Sequence, residues 1–207
     1  MLENVKDKKK YLPIIAIIGV DGAGKSTILS SLTKTFKHNL VRKIFILNRP
    51  SKTTAVGKPI HNYEKPPHSK LYSTVKLLYR AFRWTIRYYF ELSPMKHAGV
   101  LILCDHFSFL GIALDPLKSR YGGPHTIVKL VLRMIPQPDI YIFLDAPLDI
   151  IFSRKQEATQ DEMEQLIMRH RKYMSEISNG YTVNAANPVE QVTTSVSEII
   201  NQVIEQS

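Results

Sequence analysis

A glycine-rich stretch near the start of the chain carries the residue types that bind phosphate groups. Residues 19–27 read Gly-Val-Asp-Gly-Ala-Gly-Lys-Ser-Thr and fit the pattern G-x-x-x-x-G-K-[ST]. Glycines allow backbone N–H groups to face phosphate oxygens, lysine adds a mobile charge at the β- and γ-phosphates, and serine offers a hydroxyl to Mg²⁺. We therefore predict binding of ATP and Mg²⁺ here. The predicted nucleotide-binding residues are Gly19, Gly22, Ala23, Gly24, Lys25, Ser26 and Thr27, with Ser26 also a metal ligand.

The residues on either side of this loop have the patterns that such a loop requires. Residues 14–18 form an apolar, β-branched run that is typical of a buried parallel strand. Ile28, Leu29 and Leu32 continue with a helical period, so a helix would point its positive dipole end at the phosphates. The alternative is a chance glycine-rich turn, which the flanking strand and helix argue against.

Composition limits the class of protein but not its ligand. The chain has 207 residues, the size of one ordinary domain, and a formal net charge of +10. This excess of cations suggests an anionic partner, which can be nucleotide phosphate, nucleic acid or an acidic surface. The single cysteine, Cys104, excludes an internal disulfide and fits a reducing, cytoplasmic location. Residues 1–10 are predicted to be a flexible basic arm, and we expect neither nucleic acid nor a membrane surface as partner.

Strand-like and helix-like segments alternate through the rest of the chain, which predicts an α/β fold with a parallel sheet. Residues 48–70 are polar and too long for an ordinary connection, so we predict a functional loop. Further strands are predicted at 41–47, 100–104, 140–144 and 181–184. Helices are predicted at 25–37, 71–91, 126–135 and from 188 onward. Residues 150–173 are also predicted to be helical, either continuously or with an interruption.

The segment 71–91 has a helical period with two distinct faces. The apolar face holds Leu71, Val75, Leu78, Phe82, Ile86 and Tyr89. The opposite face holds Lys76, Arg80, Arg83 and Arg87. We interpret the basic stripe as a solvated face, and the alternative is that its end near Arg83 reaches an anionic substrate.

Asp105 directly follows a predicted buried strand. Open α/β sheets bind ligands at the carboxyl ends of their strands, so Asp105 is a candidate for holding Mg²⁺ or the acceptor. The alternative is that its carboxylate caps the next helix. His106 can bind phosphate when protonated or a sugar hydroxyl when neutral, and a packed histidine is an equal alternative.

The motifs taken together resemble the thymidylate kinase branch of the P-loop nucleoside-monophosphate kinases, over nearly the full chain. The matches are residues 19–27, Arg49-Pro50 after the second strand, Pro94 and Gly99 before the Leu-Ile-Leu-Cys-Asp of 101–105, and Pro138-Asp139 before the Phe-Leu-Asp-Ala-Pro of 143–147. The resemblance implies one three-layer P-loop kinase domain over 1–207. Its five-stranded parallel sheet, of order 2-3-1-4-5, would be flanked by helices.

The resemblance also implies phosphoryl transfer from ATP, with Mg²⁺, to a nucleoside monophosphate. The expected partners are a small phosphorylated acceptor and a second copy of the chain in a homodimer. Asp21 would lie near the acceptor, and Arg49 would contact the acceptor phosphate with help from Arg83. Because Gly22 stands where some members carry arginine, the catalytic arginine would come from a lid at about 153–172, where Arg154 is our candidate. The candidate catalytic residues are Lys25, Asp21, Asp105 and Arg154.

The chain departs from the family pattern mainly where the acceptor would bind. His106 replaces an arginine, no glutamate separates Arg49 from Pro50, and Asp115 stands near the position of a base-reading amide. The sequence Arg-Tyr-Gly-Gly-Pro at 120–124 resembles a divergent subgroup of thymidylate-kinase-like proteins. The candidate acceptor-binding residues are Arg49, Arg83, His106, Asp115 and Arg120.

Three functions remain open on the sequence. The leading interpretation is a kinase for a nucleoside monophosphate. The first alternative is a kinase for a sugar, a phosphosugar or another small acceptor, for example in surface-polysaccharide synthesis, because the acceptor motifs differ. The second is a nucleotide-binding regulatory module without turnover, which the loop lysine and the candidate carboxylates argue against.

Overall fold

The computed structural model describes residues 11–38, 43–47, 65–105, 107–154 and 159–206, in which strands and helices alternate. The strands are β1 (Ile14–Ile18), β2 (Lys43–Leu47), β3 (Val100–Asp105), β4 (Ile140–Asp145) and β5 (Gly180–Asn184). The helices are α1 (Lys25–His38), α2 (Lys70–Arg87), α3 (Ser93–His97), α4 (Ser108–Leu114), α5 (His125–Met134), α6 (Leu148–Arg154), α7 (Gln160–Glu176) and α8 (Val189–Gln206).

The five strands form one parallel sheet in the order β2-β3-β1-β4-β5, which confirms the predicted order. β1 lies at the centre, with Ile17 opposite Asp105 of β3 and Ile18 opposite Phe143 of β4. All five residues of β1 are buried, as its continuous apolar sequence requires when helices cover both faces. The loop after β1 therefore starts at the centre of the carboxyl edge of the sheet.

Two helical layers enclose the sheet and complete the predicted three-layer fold. α1 contacts α8, β2 and β3, and α8 also packs on β5. α4 contacts α5 and α7, while α7 packs on β4 and β5. α2 joins this second layer through α5. No helix within the described ranges combines the length and hydropathy that a membrane span requires.

A buried ion pair fixes the opposite, amino edge of the sheet. The Lys96 side chain is almost fully buried, and its Nζ lies 2.7 Å from Asp139 Oδ2. The same carboxylate accepts a hydrogen bond from the backbone N–H of Ile14 at 2.7 Å. Burial alone would lower the pKa of Lys96, but the hydrogen bonds to Asp139 and Tyr11 outweigh it and raise the pKa. Asp139 of the Pro-Asp motif thus connects the start of β1 to α3, the helix before β3.

The helices differ from the sequence predictions at three places. The predicted helix 71–91 is α2 followed by a π-helical turn, Tyr88–Leu92, and by α3. α4 was not predicted at all. The predicted helical segment 150–173, for which an interruption was one of the two expectations, is divided into α6 and α7, because Thr159 and Glu162 form a reciprocal capping box that begins a new helix. Residues 48–64 of the predicted functional loop, and the predicted basic arm, lie outside the described residues.

The apolar face of α2 is exposed, whereas another line of side chains faces the core. Ser73, Leu77, Ala81 and Trp84 are buried. Of the basic residues, Lys76 and Arg83 are exposed, as the solvated-face interpretation expects, but Arg80 and Arg87 are half-buried. The exposed apolar residues, 42% to 76% accessible, are Leu71, Val75, Leu78, Phe82, Ile86 and Tyr89, which we call the α2 stripe.

Candidate active site

The loop between β1 and α1 has the backbone conformation of a phosphate-binding loop. Gly19, Gly22 and Gly24 have φ angles of +154°, +90° and +89°, which side-chain-bearing residues rarely adopt. A Cβ atom on Gly19 would lie 3.0 Å from the carbonyl oxygen of Leu144, so the loop lies close against β4. A Cβ atom on Gly24 would meet nothing within 4 Å, which leaves open space beside the loop. Ala23 of the same loop is buried.

Lys25 lies across this loop. Its Nζ donates hydrogen bonds to the carbonyl oxygens of Gly19 at 2.8 Å and Val20 at 2.9 Å. It also lies 3.6 Å from the carboxylate of Asp21. The structure therefore places the predicted lysine charge directly at the loop.

The residues around the loop fit the phosphates of ATP and a magnesium ion. α1 begins at Lys25 with no acidic side chain in its first turn, so its amino-terminal N–H groups and dipole favour an anion. Ser26 and Thr27 are exposed in this turn. The described residues hold no cluster of three or more His, Cys, Asp or Glu side chains suited to a metal. This fits Mg²⁺, which commonly takes one or two protein ligands together with substrate phosphates.

Asp105 ends β3 on the strand beside β1, close enough for the Lys25 charge to act on it. Burial raises the pKa of the Asp105 carboxyl, and Lys25 partly opposes this. Burial also raises the pKa of the neighbouring Cys104 thiol to about 12, so that the thiol stays protonated and unreactive. Asp105 thus lies at the carboxyl edge of the sheet, and its part in holding Mg²⁺ with Ser26 stays a prediction. His106 and Arg49 lie outside the described residues, and their roles stay predictions.

A cavity of about 290 Å³ opens beside the loop, on the side of α2 and α4. Asp21 belongs to its wall and forms an ion pair with Lys118, from the turn after α4. Asp115 also lines the cavity, is 9% exposed, and accepts a hydrogen bond from the backbone N–H of Lys118 at 3.0 Å. Asp115 therefore shapes the turn that brings Lys118 to the loop. The cavity adjoins the phosphate-binding loop and is the candidate acceptor site.

Two arginines of α2 lie near this cavity, Arg80 in its lining and Arg83 in an adjoining groove. Arg80 lines the cavity directly, and its guanidinium lies over the ring of Phe109, 5.9 Å from the centroid. Arg83 lines an adjoining groove that shares Arg80 and Ser108 with the cavity, and it lies over the ring of Tyr79. Arg83 was among the predicted acceptor-binding residues, and Arg80 was not. Arg80 adjoins the buried Ala81 and lies one turn from the buried Leu77 and Trp84, a placement that the apolar periodicity of the sequence does not reveal.

α7 supplies a buried histidine to the same cavity. His170 stacks on Phe143 with ring centroids 5.5 Å apart, and its Nδ1 is 2.8 Å from the carbonyl oxygen of Leu166. Burial lowers its pKa to about 4, with a further contribution from the charge of Lys25. The ring is therefore neutral at pH 7 and donates from Nδ1 to Leu166. Nothing in the residue pattern around His170 distinguished it from a packed histidine.

Arg120 lies apart from the cavity. Its Nε donates to the carbonyl oxygen of Pro66 at 3.1 Å, and its own carbonyl accepts from the N–H of His68. A Cβ atom on Gly122 would lie 2.0 Å from the carbonyl oxygen of His68, so only glycine fits. The Arg-Tyr-Gly-Gly-Pro segment thus packs against the residues before α2. Its predicted part in acceptor binding stays a prediction.

The candidate lid arginine also lies away from the loop in this structure. Arg154 ends α6 and donates from Nη1 to the carbonyl oxygen of Ala185 at 3.1 Å. A second arginine, Arg171 of α7, forms two hydrogen bonds of 2.9 and 3.1 Å with the carboxylate of Asp145. Asp145 ends β4 at the same edge of the sheet as the phosphate-binding loop. Arg171 is therefore a second arginine available at this edge.

Comparisons with known proteins agree with this geometry. The family model described as thymidylate kinase matches residues 17–196. The chain is 28% identical over 201 residues to a thymidylate kinase of Schizosaccharomyces pombe, covering 92% of each protein. It is 26% identical over 199 residues to a probable thymidylate kinase of Pyrobaculum aerophilum, covering 93% of this chain and 98% of that protein.

A solved thymidylate kinase structure from Candida albicans has the same fold. It superposes with a TM-score of 0.64 at 20% identity, covering 93% of this chain and 92% of the other. The family match spans most of the sequence, and the conformation of the phosphate-binding loop is the one that the motif requires. The chain therefore belongs to the thymidylate kinase family, as a P-loop kinase whose cosubstrate is ATP and whose cofactor is Mg²⁺.

Proposed function

We propose that the protein transfers a phosphoryl group from ATP to a nucleoside monophosphate bound in the cavity beside Asp21. The observation that carries this proposal is the position of Asp21, which is in the phosphate-binding loop and also in the cavity wall. An acceptor in that cavity would face phosphates bound on the loop. This is the arrangement that in-line transfer between two substrates needs.

The described side chains suit particular tasks in this reaction. Lys25 supplies positive charge where the β- and γ-phosphates bind, and the glycine N–H groups hold the phosphate oxygens. Mg²⁺, when bound by Ser26 and Asp105, supplies further neutralising charge to the transferring group. Arg80 and Lys118 place two cations at the cavity for an acceptor phosphate. Positioning and charge neutralisation would then provide most of the rate enhancement.

A second candidate acceptor is a sugar or phosphosugar. Asp115 favours it, because an ionised carboxylate accepts hydrogen bonds from hydroxyl groups and cannot donate to a pyrimidine carbonyl. The C. albicans thymidylate kinase is described as having broad substrate specificity. An altered acceptor preference is therefore compatible with the family.

An ADP-release screen of the purified chain tests the proposal. The acceptors are dTMP, dUMP, dGMP, CMP, nucleosides, sugars and phosphosugars, each with ATP and Mg²⁺. We expect turnover with at least one nucleoside monophosphate, and a fall on the order of 10²–10³-fold in a Lys25→Ala control. Turnover with sugars alone supports the second candidate. Nucleotide binding without turnover on any acceptor would contradict both and favour a regulatory module.

We also propose that the protein is a homodimer joined through the α2 stripe. The six residues of the stripe advance by three or four positions, so they follow one side of α2 and the π-helical turn for about five helical turns. A continuous exposed apolar face of this length is unusual on a monomer. An elongated helix face can pack on its own copy about a two-fold axis, which buries both stripes at once.

The oligomeric state is measurable by light scattering after size-exclusion chromatography. Phe82→Glu places a charge in the middle of the stripe and is expected to give monomers. Lys76→Glu changes the charge on the same helix outside the stripe and is the matched control. A monomeric native chain at high micromolar concentration would contradict the homodimer.

Three further features of the proposal remain predictions. We keep residues 1–207 as one kinase domain. We propose a lid at about 153–172, in which the end of α6 and the first part of α7 would move toward bound ATP. We keep a cytoplasmic location, since ATP is the donor and Cys104 is a buried free thiol.

A further inference from the structure

A second cavity, of about 690 Å³, lies on the far side of α4 and α7 from the acceptor cavity. Leu110, Ala113 and Leu114 of α4 line it, whereas Gly111, Ile112 and Asp115 line the acceptor cavity. Tyr141 and Asn179 place it near the amino ends of β4 and β5, and the phosphate-binding loop follows the carboxyl end of β1. We call this cavity the α5/α7 cleft. It is separate from the kinase site.

The rim of the α5/α7 cleft is strongly basic. Lys129 and Arg133 are one turn apart on α5, and Arg169 and Lys172 are one turn apart on α7. Among the described residues, Glu176 is the one acidic residue that lines the cleft. Like charges at such spacings repel each other and slightly destabilise a helix. These four cations therefore do not stabilise the fold by themselves. An anion bound between the two helices would remove that repulsion.

The floor of the cleft is apolar and aromatic. Leu110, Leu114, Leu132 and Ile177 contribute aliphatic surface. Tyr141 and Tyr173 pack edge to face with centroids 6.0 Å apart, and the Tyr141 hydroxyl donates to Gln137 at 2.7 Å. Tyr141 and Leu110 are each only 2% exposed, so the accessible floor is formed mainly by the half-buried Tyr173, Leu132 and Ile177, which suit a flat or apolar body. The volume lies within the range of cavities that hold small organic ligands.

We propose that the α5/α7 cleft binds a small phosphorylated molecule with an aromatic or apolar body. Its phosphate lies between the cations of α5 and α7, and its body covers the aliphatic and tyrosine floor. The transfer proposed above assigns no role to these side chains, of which Arg169 and Lys172 lie at the end of the lid segment, and the cleft is a second ligand site. Arg169 connects it to the acceptor side, because its Nη1 donates to the carbonyl oxygen of Leu114 at 3.1 Å, next to Asp115.

The test uses 1-naphthyl phosphate, a fluorescent aromatic phosphate, titrated into the full chain with saturating ATP and Mg²⁺. The charge-reversed double variant Lys129→Glu/Arg133→Glu is expected to weaken binding on the order of tenfold or more. The matched control Lys34→Glu/Lys70→Glu makes the same change of net charge at exposed positions away from the cleft. It is expected to change the affinity by less than about twofold, as long-range charges are screened by salt.

Competition identifies the chemistry that the cleft recognises. Inorganic pyrophosphate is expected to displace the probe, and 1-naphthol, which lacks the phosphate, is expected to bind at least tenfold more weakly. Equal loss of affinity in the two double variants would show that net charge alone attracts the probe and would overturn the proposal. Absence of binding to the native chain at millimolar probe would overturn it as well. Thermal melts confirm that each variant is folded, and kinase turnover is measured in parallel.

Discussion

Asp21 of the phosphate-binding loop is ion-paired with Lys118, which belongs to the turn after α4. The same carboxylate lies 3.6 Å from Lys25 Nζ, so one acidic side chain joins the nucleotide-binding lysine to the wall of the acceptor cavity. Asp115 holds the turn by accepting the Lys118 N–H. Side chains of opposite charge therefore connect the phosphate-binding loop to the wall of the acceptor cavity.

Lys118→Ala removes one cation from the acceptor cavity and leaves Asp21 with Lys25. We expect KM for the acceptor to rise by up to roughly 5-fold, because the Lys118 side chain is 40% exposed and solvent screens its charge. The KM for ATP should change much less, because the loop keeps Lys25. Steady-state kinetics with each substrate varied in turn measures both. An equal rise in the two KM values would assign Lys118 to the loop conformation and not to the acceptor.

Lys25→Ala removes the charge at the loop while the fold stays intact. We expect turnover to fall on the order of 10²–10³-fold, as for the loss of one preorganised group that stabilises developing charge. The variant also loses the hydrogen bonds to the carbonyls of Gly19 and Val20. Resistance of Cys104 to alkylation, compared with the native chain, verifies the fold. Unchanged turnover in the folded variant would exclude Lys25 from the reaction.

The sheet and the phosphate-binding loop were predictable from the sequence, because each rests on local pattern. Continuous apolar runs marked the strands, and the glycine, lysine and serine spacing marked the loop. The strand order, which the chain pattern does not contain, came from the family resemblance and is confirmed. The acceptor cavity was less predictable, since Lys118 reaches Asp21 only through a turn whose shape depends on Asp115. The packing of α2 was also not predictable from the sequence, because its apolar periodicity does not reveal which face of the helix packs on the core.

Arg154→Ala tests the catalytic arginine of the lid. If Arg154 acts on the transferring phosphoryl group, kcat should fall on the order of 10³–10⁵-fold while ATP affinity changes little. Arg154 contacts Ala185 in this structure, so this function requires the end of α6 to move. Arg171→Ala is the comparison, because Arg171 lies at Asp145 on the sheet edge. A large loss of kcat in Arg171→Ala alone would transfer the function to Arg171.

His170 makes the stability of the fold depend on pH. Its pKa is about 4 in the folded chain and about 6.5 when unfolded, so between these values only the unfolded state binds the proton. Stability should therefore fall as pH decreases from 6.5 to 4, by at most about 3 kcal/mol from this residue. Urea unfolding at pH 7 and pH 5 measures the fall. His170→Gln should lose stability less steeply over this interval, and an equal slope in the variant would contradict the effect.

Asp115→Asn tests whether Asp115 limits the use of dTMP as the acceptor. The asparagine keeps an oxygen for the Lys118 N–H and adds two donors where the carboxylate has none. An unmatched buried polar group costs roughly 1–3 kcal/mol, equivalent to about 5- to 150-fold in affinity. We therefore expect the native chain to use dTMP poorly, and Asp115→Asn to raise kcat/KM for dTMP within that range. The variant should lose efficiency on an acceptor whose hydroxyl groups donate to the carboxylate. A native kcat/KM for dTMP of about 10⁶ M⁻¹s⁻¹, typical of an enzyme on its own substrate, would show that Asp115 is no obstacle to thymidylate.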